Sequence, residues 1–199
     1  MKCNSVTEAP PTGVSDAWRF AVDIYGRPGV RAACLGLQDR RGVDVVAMLV
    51  LLHGVAGGHP APSLEALRNA LQAVDPWRRA GVLPLRQVRR DLKGWTFPGD
   101  SGAGSAAERA RQAVAAAELA AERVELDYLA RRLDQEGTGQ PSGLVSAAEF
   151  ASAMAALELY GRAAGLAFDP SDLLDLAILA AAALPDSSPE TAAPTEGRP

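Results

Sequence analysis

Six basic side chains crowd into sixteen residues: Arg78, Arg79, Arg86, Arg89, Arg90 and Lys93. At helical spacing Arg79, Arg86, Arg90 and Lys93 gather near one face, and Leu85, Val88 and Leu92 fall on the other. Guanidinium groups at this density pair with carboxylates or phosphates through charge-assisted hydrogen bonds. The expected surface is therefore one that takes an acidic protein partner, with Trp77 and Trp95 as anchors at its two ends. The competing expectation is internal: the same arginines pair with Glu118, Glu122 and Glu125 of a later helix. Nucleic acid is the weaker occupant of segment 78–93, because the chain as a whole is acidic and carries no nucleic-acid motif.

Carboxylates offer a second chemistry. Asp39 and Asp44 flank Gly42, and Asp172 and Asp175 lie one helical turn apart. Paired acids can hold Mg²⁺ with a phosphorylated ligand, so a small Mg²⁺-dependent helical enzyme using Asp39 and Asp44 is the alternative reading. Neither pair has another carboxylate beside it to complete an oxygen shell, and Asp44 also suits a helix N-cap. His53 and His59 lie in no zinc, nucleophile or triad context, and no glycine-rich phosphate loop occurs. Cys3 and Cys34 have no CxxC-type spacing. No catalytic residue, metal site or cofactor is expected.

The elements that must position these groups read as helices. With 199 residues, 48% apolar and 5% aromatic side chains, the chain has the composition of one globular domain or two small ones. Its longest strongly apolar run, 45–52, is far below the ~20 residues that span a bilayer. Net charge is −4, but residues 76–104 carry six bases and two acids, whereas residues 137–199 carry two bases and eight acids. No stretch alternates as a strand does, so the fold is expected to be all-α, an irregular helical bundle of about seven helices.

Ser15 and Asp16 cap a first helix to Tyr25, with Trp18, Ala21, Val22 and Tyr25 as its inner face. Val30, Ala33, Cys34 and Leu37 stripe a second, which Gly42 stops. Asp44 caps a third that is apolar on every side and hence central. Ser63 opens a fourth, and Asp75-Pro76 is the expected cap and first turn of a fifth reaching Lys93, with a kink near Ala80 to Leu83 caused by Pro84. Residues 105–136 form one long helix of about 48 Å, with Ala110, Val114, Ala117, Ala121, Val124 and Tyr128 on one stripe. Leu119, Leu126, Leu129 and Leu133 form a second stripe beside it. After a joint at 137–143, Ser146 with Glu149 and Asp169-Pro170 open a final helical pair.

The string from Trp18 through Pro28-Gly29-Val30, Ala33-Cys34-Leu35, Leu37-Gln38-Asp39 and Gly42 to Asp44-Val45 resembles a bacterial family of short helical proteins that carry a domain of unknown function. Pro76-Trp77-Arg78-Arg79 and Pro84-Leu85-Arg86 continue the likeness. It is specific over 15–93, weaker over 105–165, and departs from the pattern at Val46 and His53. It implies an all-helical bacterial protein and no mechanism.

The organisation expected is a disordered leader 1–14, a compact helical core 15–93, a long helix with a C-terminal helical pair over 105–184, and a disordered acidic tail 185–199. The function expected is that of a non-enzymatic adaptor or regulatory interaction module of the bacterial cytosol, contacting its partner through Trp77 and the arginines of 78–93. Self-association through the long helix is the second expectation, and no membrane is involved.

Overall fold

The computed structural model describes residues 15–99, 104–134 and 147–184. The leader, the joint at 137–143, the box opened by Ser146 and the tail lie outside the described residues. Helices α1 (Asp16–Gly26), α2 (Val30–Arg41), α3 (Val45–Ala56), α4 (Leu64–Trp77), α5 (Leu83–Asp91), α6 (Ala106–Asp134), α7 (Ala147–Ala164) and α8 (Pro170–Ala183) make an all-α bundle. A five-residue π-helical turn, Arg78–Val82, joins α4 to α5 without a break, so the described residues form seven continuous helical segments and no strand.

Helix α3 is the centre. Every residue from Val46 to Leu52 is buried, as a helix apolar on all sides requires, and α1, α6, α7 and α8 pack around it. Its start is fixed by Asp44, whose carboxylate accepts the Ala47 N–H at 3.2 Å. Gly42 ends α2 just before it in the left-handed region, φ 65°, where a side chain would be strained. Ser15 and Ser63 cap α1 and α4 by accepting from Trp18 and Ala66 N–H groups.

Three expectations are corrected. Pro76 opens no new helix: α4 runs through it to Trp77, and the irregularity that the prolines impose is taken up by the π turn between Pro76 and Pro84. The inner face of α1 is Ala17, Ala21 and Ile24, while Val22 faces solvent, because the small alanines allow close approach to α3 and α6. On α6, Leu119, Val124 and Tyr128 are exposed, and the buried face combines Ala121, Leu126, Leu129 and Ala130 with two acids, Glu118 and Glu125.

Helix α8 closes the bundle against α2. Asp169 caps α8, and the Asp172 carboxylate returns to the Asp169 N–H in a reciprocal box. Arg40 and Arg41 at the C-terminus of α2 reach these acids: Arg40 pairs with Asp172 and Asp175, Arg41 with Asp169 and Asp172. Burial alone would raise Asp172, but the Asp169 N–H and the two arginines hold it below the usual carboxylate range. Hydrogen bonds from the Ser171 hydroxyl and the Asp172 N–H hold Asp169 at about 2. The acids expected to suit a helix N-terminus thus also tie two helices together.

Candidate functional site

The basic segment divides into an inner and an outer set. Helix α5 lies along α6, and Arg86, only 9% exposed, donates through Nε to Glu118 at 3.1 Å and through Nη2 to Glu122 at 2.6 Å. Arg89 donates to both oxygens of Glu118. Burial pushes Glu118 upward, but the bonds from Arg89 and Arg86 outweigh it and keep the carboxylate below its ordinary value. Glu122 has the opposite balance: burial wins over Arg86 and raises it.

The arrangement of faces on α5 therefore differs from the one its apolar spacing suggests. Arg86 points into the bundle and Val88, 46% exposed, points out, because the facing stripe of α6 presents carboxylates that a hydrocarbon side chain could not satisfy.

The outer set is Arg79, Arg90, Lys93 and the aromatic groups. Arg79 pairs with Asp75 one turn back, and Arg90 pairs with Asp39 of α2, both in solvent. No acid among the described residues pairs with Lys93. Trp77 donates its indole N–H to the Ala121 carbonyl at 3.0 Å yet remains 43% exposed. Trp95 and Phe97, just past the end of α5, are 56% and 55% exposed, with ring centroids 6.3 Å apart.

Arg78 belongs to neither set. The π turn directs it to Asp44, with Nε 3.3 Å from the Asp44 carboxylate. The Asp44 backbone N–H donates to the Tyr160 hydroxyl of α7 at 2.6 Å. Behind them Glu125, 1% exposed, has no donor on either carboxyl oxygen. Burial, and next the charge of Asp44, push Glu125 up to about 9 despite Arg78. Glu125 is therefore a carboxylic acid at neutral pH. Burial and the Asp44 charge also raise the Tyr160 phenol, which stays protonated.

Asp44, Arg78 and Tyr160 line a cleft of about 440 Å³ bounded by the α2–α3 turn, α4 and the end of α7. Asp39 is not part of it. Its carboxylate stands on the surface with Arg90, so the structure gives Asp39 and Asp44 separate partners. No group of three or more potential metal ligands occurs among the described residues. His53 sits edge-on to Phe20 near the end of α3, and burial lowers its imidazole below the ordinary value. Burial pushes the Cys34 thiol up to about 12, so thiolate chemistry is closed to it near neutral pH.

The spacing of Glu118, Glu122 and Glu125 already marks one helix face; arginines of the facing helix answer Glu118 and Glu122, and Glu125 is met by none. Tyr160 and Arg68 of the cleft gave no sequence signal, since nothing local ties position 160 to position 44.

These elements define an all-α bundle with one apolar core and a charged seam between its longest helix and the basic segment. The chain belongs to the family described as protein of unknown function (DUF2390), whose model matches residues 16–129, more than half of its length. Neither a curated protein nor a solved structure matches it significantly. No helix among the described residues is long and apolar enough to cross a membrane.

Proposed function

We propose that this protein is a non-catalytic adaptor or regulatory module of the bacterial cytosol that docks an acidic protein partner at the far end of the basic segment. The observation that carries this reading is the adjacency of Lys93 to Trp95 and Phe97, two large rings more than half exposed at a helix end. Aromatic anchors beside cations are the composition of binding hot spots. Arg90 and Arg79, exposed and held only by surface pairs worth little in water, extend the basic rim, and Trp77 stands at its other end. Arg78, Arg86 and Arg89 support the surface from within through their buried partners.

The Mg²⁺-dependent alternative draws less support, since Asp39 and Asp44 are engaged by different arginines. Self-association is a second reading, favoured by the exposed stripe of Ala113, Ala117, Val124 and Tyr128 on α6.

The test is affinity capture from the source cells with three baits: wild type, the Arg90→Glu/Lys93→Glu pair, and the Trp95→Ala/Phe97→Ala pair. One protein recovered by wild type and lost from both variants, whose circular dichroism is unchanged, is the expected result. Identical recovery from all three baits removes this surface from consideration.

A further inference from the structure

We infer that the cleft over Asp44 is a binding site for a small organic oxyanion, a carboxylate or phosphate head on a short apolar body. Around the cleft the acids are committed to partners within the chain and the donors are not. Its acids are engaged: Asp44 takes the Ala47 N–H and Arg78, and Asp75 takes Arg79. Glu125, outside the cleft lining, is held as the neutral acid by its burial and by the charge of Asp44.

The donors are not engaged. Arg78 approaches Asp44 with Nε at 3.3 Å, and neither of its Nη groups donates a hydrogen bond to a described residue. Arg68 of α4 lines the cleft in solvent, and no acid among the described residues pairs with it. Tyr160 accepts from the Asp44 N–H and has its own hydroxyl proton left to give.

These three donors come from the π turn, α4 and α7, so the bundle itself brings them together. A planar fork such as the free edge of Arg78 matches a carboxylate or phosphate with two parallel hydrogen bonds. Leu71, Val74 and Leu166 supply apolar wall for a short hydrocarbon or ring, and the cleft volume lies in the range of small-ligand sites. A cation finds less, since every carboxylate it would seek already holds an arginine, a backbone N–H or a proton.

The test is titration of the full-length protein with hexanoate, phenyl phosphate and hexylammonium at matched ionic strength, reading arginine guanidinium resonances by NMR and heat by calorimetry. Hexanoate or phenyl phosphate should shift the Arg78 signals saturably, and the one that binds tighter names the head group. Arg78→Gln should weaken that binding about 10- to 100-fold. Arg68→Gln, an exposed change that leaves the core alone, should weaken it ~2- to 5-fold. Tighter binding of hexylammonium, no saturable shift with either anion, or equal affinity in wild type and Arg68→Gln would each overturn the assignment. Should Arg78→Gln not fold, the Arg68→Gln comparison and the sign of the preferred charge still decide it.

Discussion

Glu125 is the residue at which composition and environment disagree most. A carboxyl group with 1% exposure and no donor on its oxygens is neutral in the folded chain and ionised in the unfolded one, where its value returns to about 4.5. Between about pH 4.5 and about pH 9 the native state therefore binds one more proton than the denatured state. The sign follows: this group's contribution to stability is greatest at low pH and falls as pH rises, by at most ~1.4 kcal/mol per pH unit. Urea midpoints measured from about pH 5 to about pH 8.5 should decline in the wild type and flatten in Glu125→Gln, whose neutral amide does not titrate. Parallel curves for the two proteins would show that Glu125 does not carry the proton.

Among the elements, the pairing of α5 with α6 is the least conventional. Two prolines eight residues apart, Pro76 and Pro84, each remove a helical N–H, and the wider π turn between them keeps one continuous rod. That turn interrupts the 3.6-residue register, so Arg79 and Arg86, aligned on paper, part company: Arg79 stays in solvent and Arg86 enters the seam. A charge pair at this depth must stay paired. Glu118→Ala should lower stability by about 1–3 kcal/mol, because it leaves Arg86 with Glu122 alone and takes from Arg89 its carboxylate partner. The double change Glu118→Leu/Arg86→Met should recover at least half of that loss, since it strands no buried charge at Arg86. Chemical denaturation of the three proteins checks this; a double variant no better than Glu118→Ala would mean that the seam is held by packing and not by charge.

At the scale of the molecule, a single apolar core runs from Ala17 of α1 to Ala183 of α8. The family match ends at residue 129, yet α7 covers α3 and supplies the Tyr160 hydroxyl that satisfies the buried Asp44 N–H. Helix α8 likewise covers α2 and answers Arg40 and Arg41. A chain ending at Asp134 would uncover the faces of α3 and α2 that α7 and α8 cover and leave both arginines without their acids. We expect it to keep helical circular dichroism, bind a hydrophobic dye and lose its sharp thermal transition. A cooperative transition at the wild-type temperature would show that residues 16–134 hold a complete core.

Helical class, the central place of α3, the caps at Ser15, Asp44, Ser63 and Asp169, and the stripe Val30, Ala33, Cys34 and Leu37 were legible in the chain because each depends on neighbours within a few positions. Local periodicity also placed three glutamates on one face of α6. Only the folded arrangement decided that this face turns inward, that Val88 and Val22 turn outward, and that Asp44 meets Tyr160 and Glu125. The reason is physical: a helix records which residues share a side, whereas the polarity of that side's surroundings is set by the partner packed against it. That partner comes from elsewhere in the chain, 32 residues away for Arg86 and Glu118 and 116 for Asp44 and Tyr160.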